Sequence, residues 1–232
     1  MESFYGLAIV LFPILLADAI NPVLLAGVLY GLGSHRPMIN SWMIILSFFV
    51  SYFLSGVAIA LVFEEIVEIF HLPHGFDYAI EFVVALLLIA IGWSQLRSGD
   101  THPEERLKHE SSMSLWDAGM LGLQVNFVGL PFAIPYLAAI DQILKAQISA
   151  AASVVVLLVY NILYVSPFVA MIAIKWCFGE QSKPILEGFN RWMHTLSVKY
   201  LPWIFFVLAL LLLEDCISFF LGYREYSFLS HY

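Results

Sequence analysis

Six stretches of the sequence stay mostly apolar for about 20 residues or more, the length an α-helix needs to cross the hydrocarbon core of a bilayer. They cover residues 4–32, 38–63, 78–96, 115–140, 150–176 and 201–221. Lipid offers no water to backbone N–H and C=O groups, so each stretch must satisfy its own hydrogen bonds as a helix. The expected fold class is therefore an all-α integral membrane protein of six transmembrane helices, with 1–232 forming a single membrane domain. Composition agrees: 61% of the residues are hydrophobic and only 12% charged, against about half and about a quarter in soluble domains. That balance excludes a soluble enzyme and a disordered regulator. A net charge of −8 gives no basic footprint for nucleic acid. The first apolar run has no basic residues before it and outlasts a signal peptide's core, so it is read as a retained helix.

Basic residues set the orientation. With six spans, the 1–2, 3–4 and 5–6 linkers share one side. They and their helix ends hold Arg36, Arg97, Arg106, Lys108, Lys175, Lys183, Arg191 and Lys199, eight of the ten lysines and arginines. Both termini are thus expected outside, in a multi-pass protein of the bacterial cytoplasmic (inner) membrane. Trp42, Trp93, Trp116, Trp176, Trp192 and Trp203 all fall on the same cytoplasmic side, as an interfacial belt would. Cys177 and Cys216 then lie near opposite faces, too far apart for a disulfide. Residues 98–114 form a polar cytoplasmic linker. Within the 5–6 linker, Ile185, Leu186, Phe189, Trp192, Met193 and Leu196 recur at helical spacing. A short interfacial helix is expected over about 183–196, with Ser182 as its N-cap and Pro184 in its first turn.

The linker at 98–114 divides the spans into two triplets, about 1–97 and 115–221. Three spans per half force the second half to enter from the opposite side, so related halves would form an inverted repeat. The shared plan is an interrupted first helix. One carries Asp18, Asn21 and Pro22; the other carries Asn126, Gly129, Pro131 and Pro135. Proline removes a helical hydrogen bond, and lipid tolerates the exposed carbonyl only beside protein or a wet cavity. Paired breaks are a sequence pointer to a transport site.

Depth singles out further residues. At about 1.5 Å per residue, Asp18 lies some 20 Å inside the first helix, and Asn21, Asn126 and Asn161 fall in the middle third of the membrane. A carboxylate there is costly and turns toward the bundle interior. Asp18 is a candidate coupling site or counter-charge to a cationic substrate; the bland alternative is an N-cap for the helix starting at Pro22. Tyr136 is a candidate cavity residue, as are Tyr160 and Tyr164 more weakly, because aromatics in membrane helices usually pack. Glu81, Glu214 and Asp215 lie near the outer ends of their helices. They read first as interfacial side chains reaching for water, and second as an acidic outer vestibule. His71, His74 and Asp77 in the 2–3 linker are weak candidates for a metal, since Pro73 breaks the geometry between the histidines. No GxSxG or HExxH motif and no catalytic constellation occurs, so neither an enzyme nor a cofactor is expected.

Ala17-Asp18-Ala19-Ile20-Asn21-Pro22, followed by Gly27, Gly31 and Arg36-Pro37, resembles the opening of the peptidoglycolipid addressing protein (GAP) family. Gly129-Leu130-Pro131 with Pro135-Tyr136, then Tyr160-Asn161 and Ser166-Pro167, resemble the same family further on. The family belongs to the lysine-exporter (LysE) superfamily. The resemblance implies six helices in two inverted triplets and a role in export; known members help move large glycolipids to the mycobacterial cell surface beside larger lipid transporters. A sister group relays electrons through cysteines in its first and fourth helices. Neither helix has a cysteine here, which excludes that reading.

Three functions remain open. The first is a transporter that exports a lipid, amphiphile or small metabolite by alternating access around the two broken helices. The second is an efflux carrier for metal or organic cations, using Asp18 and the acidic outer residues. The third is a non-transporting partner subunit of a larger export complex. Expected partners are membrane lipids, the transported amphiphile or small solute, and either a second copy of the chain or larger export machinery.

Overall fold

A computed structural model describes residues 2–69, 75–98, 113–128, 134–146 and 148–221, and all regular structure among them is helical. The chain runs through α1 (Glu2–Ala19), α2 (Pro22–Leu32), α3 (Pro37–Ile69), α4 (Gly75–Ser98), α5 (Leu115–Val128) and α6 (Ile134–Lys145). It continues through α7 (Ala150–Phe178), α8 (Lys183–Thr195) and α9 (Leu201–Phe220). A 3-10 turn (Gly179–Ser182) and a π turn (Leu196–Tyr200) join the last three.

By length and apolarity, Pro37–Val62 and the continuous helical run Ala150–Phe220 qualify as membrane-crossing, and α1 with α2 qualifies as a third span if the bent pair is counted as one. This is a membrane-associated helical protein. The first apolar run breaks where its length required, bending by 55° between α1 and α2. The cause is local. Asn21 is extended (φ −110°, ψ 100°), and its Oδ1 accepts the Val23 and Leu24 N–H groups at 3.0 and 2.9 Å. Pro22 takes the first helical position, where no N–H is needed. The fourth apolar run is described as α5 and α6, with Pro135 as the second residue of α6, and the stretch 129–133, where the interruption is expected, lies outside the described residues. Pro131 and Gly129 lie outside the described residues, as do His71, His74 and nearly all of the 98–114 linker.

Pro167 sits inside α7 and cannot bond the Leu163 carbonyl. The Ser166 hydroxyl donates to that carbonyl instead, at 2.7 Å. The interfacial helix forms as α8, with Leu186 and Met193 buried and Ile185 and Trp192 exposed. Its start differs from expectation. Ser182 is helical and caps nothing; its hydroxyl donates to Gly179 O at 2.6 Å, because the chain enters α8 through the 3-10 turn without an extended cap residue.

Small residues set the closest packing, as is usual between membrane helices. A methyl group on Gly122 of α5 would overlap the Ser47 hydroxyl and the Ile44 carbonyl of α3. Asn40, at the start of α3, donates to Ser34 Oγ at 2.8 Å and Met113 O at 3.2 Å, fixing the α2–α3 corner against the entry to α5. The end of α4 meets the start of α9 at Gly92 and Pro202. All six tryptophans are exposed, as an interfacial belt requires. Both cysteines are free thiols, Cys177 exposed and Cys216 buried.

Candidate functional site

The break between α1 and α2 faces α3, α6 and α7, and the side chains that meet there are polar and aromatic. Asp18, in the last turn of α1, is 1% exposed. Its carboxylate accepts the Tyr52 hydroxyl at 3.0 and 3.1 Å and the Tyr160 hydroxyl at 3.0 Å. Among the described residues no ion pair reaches it. Asn21, not Asp18, is the cap of α2, which corrects the bland reading of Asp18. The cap leaves the Asn21 amide free to donate to the Tyr164 hydroxyl at 2.9 Å.

α6 brings in Tyr136. Its ring stacks on Tyr52 at 4.0 Å and lies 5.6 Å from Tyr160. Gly56 makes room for it, since a methyl there would overlap the Tyr136 hydroxyl. Asn161 of α7 donates to that hydroxyl at 2.9 Å and to its own helix at Leu157 O, 2.8 Å away. The second bond fixes which amide atom is which. The Asn161 Oδ1 is then left buried with no hydrogen-bond partner among the described residues. Buried acceptors are nearly always satisfied, so this one is a free place for a donor. Phe48 closes the cluster, stacked on Tyr52 and Tyr164.

Six sequence candidates, Asp18, Asn21, Tyr136, Tyr160, Asn161 and Tyr164, thus enter one buried network, with Pro22 at its edge. Asn126 stands aside: its amide donates to Ser51 Oγ at 3.1 Å, next along the chain from Tyr52. Tyr52 was not foreseen. An aromatic in an apolar helix carries no periodic signal, and only the fold reveals its hydroxyl pointing at Asp18.

Glu81 and Asp215 belong to a second centre. Glu81 and Asp215 do not reach for water; they are 1% and 6% exposed. Lys145, at the end of α6, pairs with Glu81, with Asp141 at 3.3 Å and with Asp215 at 3.6 Å. Once a cation sits among them, burial no longer leaves these carboxylates uncompensated. Gln142 donates to Glu81 and to Asp141, both at 3.2 Å. Glu214 accepts the Ser218 hydroxyl at 3.3 Å. Lys145 and Asp141 were not singled out from sequence, although their four-residue spacing on one helix was a readable sign of a pair.

Asp77 belongs to α4 by its backbone, and its side chain is outside the described residues. Among the described residues no group of three or more His, Cys, Asp or Glu side chains is arranged to hold a metal ion. Residues 11–218 match the model of the family described as Sap, sulfolipid-1-addressing protein. No curated protein and no solved structure matches the chain.

Proposed function

The chain belongs to the Sap, sulfolipid-1-addressing protein family, and from that premise we propose that it exports a lipid or other amphiphile across the bacterial cytoplasmic membrane, working around the Asp18 centre. The family name makes a sulfated glycolipid the first cargo to try. The observation that carries the reading is a buried carboxylate at a helix break, held only by hydroxyl groups, beside an unspent Asn161 acceptor. Asn40 Oδ1 and Gln95 Oε1 are also buried without a partner among the described residues, so it is the place of the Asn161 acceptor, beside the Asp18 centre at the helix break, that favours a ligand's hydroxyl or a proton-bearing group there.

In this reading the chain has six spans with both termini outside. A single straight helix as long as the 71-residue run Ala150–Phe220 would be about 107 Å long, more than three times the ~30 Å core. The charged α8 in its middle makes α7 and α9 separate spans. The two triplets are inverted repeats, within the lysine-exporter superfamily. Two packing contacts support this: α1 lies against α6 and α2 against α5, so each broken helix rests on its counterpart. Alternating access then rocks the broken helices about Asp18, whose carboxylate exchanges a proton or a cargo hydroxyl for the Tyr52 and Tyr160 donors.

Proteoliposomes carrying a fluorescent sulfated glycolipid test the reading, with transfer between leaflets followed by an impermeant quencher. Wild-type protein should accelerate transfer, and Asp18→Asn, which keeps the shape but removes the charge and one acceptor oxygen, should abolish the acceleration while inserting normally. Transfer by Asp18→Asn at the wild-type rate would remove Asp18 from the mechanism. No acceleration by wild type, with stable co-purification of a second membrane protein, would favour the partner-subunit reading.

A further inference from the structure

The Lys145 centre lies away from Asp18, and the proposed transport reading does not use it. It joins the end of α6 to the beginning of α4 and the end of α9, through Glu81 and Asp215 respectively. Asp141 and Gln142 add contacts from α6 itself, and the ammonium also lies 4.4 Å from the centre of the Tyr78 ring. The Lys145 side chain is 17% exposed, while its three carboxylate partners are more deeply buried. The lysine is thus the outermost member and closes over the acids.

α6 is held at two places. Near its beginning, Tyr136 is stacked into the Asp18 centre; at its end, Lys145 is tied to α4 and α9. A helix of 12 residues fixed at both ends can move as a rigid piece once one end is released. We propose that the Lys145 cluster is a latch that keeps α6 closed against α4 and α9, and that its release opens this end of the bundle toward the Asp18 centre. The latch is an ion pairing among three helices that a single charge change undoes. Apolar packing alone would not give that all-or-none character, because removing one partner of a buried ion pair leaves the others uncompensated.

The protein carries its own reporter. Cys216 sits inside the cluster, 2% exposed, with its thiol donating to Tyr78 O at 3.2 Å and lying 3.7 Å from Glu81. Opening of the latch uncovers it. The experiment is maleimide labelling of purified protein in lipid nanodiscs, in a Cys177→Ser background, so that Cys216 is the reactive thiol. A companion protein carries Ala118→Cys together with Cys177→Ser and Cys216→Ser; Ala118 is 0% exposed at the start of α5, a helix that packs on α2 and α3. With the closed latch, Cys216 labels slowly. Lys145→Gln should raise its labelling rate by more than about ten-fold, given the cost of orphaning buried carboxylates. Lys145→Arg, which keeps the charge, should label as wild type. Asp215→Asn removes only the longest of the three pairs and should give a smaller rise, so the idea stays testable if Lys145→Gln does not fold. In both latch variants the cysteine at position 118 should stay protected. A Cys216 rate unchanged in Asp215→Asn and Lys145→Gln would overturn the latch. So would equal acceleration at positions 216 and 118, since the cluster would then be general glue. The readout is accessibility, not transport, so it stands or falls separately from the cargo and from Asp18.

Discussion

Gly56→Ala tests whether the aromatic centre is as tightly built as its distances imply. The new methyl would overlap the Tyr136 hydroxyl and come within 2.7 Å of ring atom Cζ and 3.0 Å of Cε1. The ring cannot easily retreat. Tyr52 stacks on it at 4.0 Å, and Asn161 holds its hydroxyl at 2.9 Å. Overpacking of a rigid core costs about 1–3 kcal/mol, and the pinned ring argues for the upper end. Against this, alanine is better than glycine in a helix by about 1 kcal/mol. The net expectation is a loss of about 2 kcal/mol, or roughly 4–8 °C in Tm for a chain of this length. Thermal unfolding in detergent, followed by circular dichroism, measures it. The control is Tyr136→Phe, which deletes the nearest atom. In that background Gly56→Ala should cost about 1 kcal/mol less, a coupling of the size seen between residues in contact. The reasoning fails if Gly56→Ala is as stable as wild type, or if the loss is the same with and without the hydroxyl.

Two further outcomes follow from local geometry. Asn21→Ala removes the cap bonds to Val23 and Leu24 and the bond to Tyr164; it should cost about 1–2 kcal/mol, seen as a lower Tm. Asn21→Ser should recover most of the cap but not the Tyr164 contact, and equal losses in the two variants would argue that capping is unimportant at this break. On the solvent side, Glu180 pairs with Lys175 and Lys183, both at 3.0 Å. The hydrogen bonds from Lys175 and Lys183 lead the causes that hold its carboxyl below the ordinary glutamate value. A carboxyl lowered by folding adds stability that is complete above its unfolded value and fades as pH falls through the lower folded one. Glu180→Gln should therefore narrow the Tm difference between neutral and acid pH below the usual glutamate range, by a small amount because the pair is exposed. A wider difference in the variant would reverse the assignment.

How much of this was legible in the sequence depended on whether the signal was local. The break at Asn21-Pro22 was legible because a cap residue and a proline state their geometry within four residues. The burial of Asp18 followed from depth along a helix, which needs only the rise per residue. Its partners did not, because Tyr52 and Tyr160 come from helices whose rotation about their own axes is set by tertiary packing. Periodicity is silent where every face is apolar. The same silence explains Ser182: the 3-10 turn that displaces it from the cap position depends on how α7 hands the chain to α8.

Glu81 and Asp215 show what kind of information was missing. A carboxylate near a helix end reaches water if nothing else is near, and by sequence nothing else was. The energetics change sign of preference only when a cation arrives within about 4 Å, since an ion pair in a dry setting offsets much of the desolvation each partner suffers. Lys145 supplies that cation, because α6 brings Asp141, Gln142 and Lys145 to the level of Glu81 and Asp215. The same short helix carries Tyr136 into the Asp18 centre at its other end. The two polar centres are thus joined by α6, and a change that shifts this helix should disturb both together.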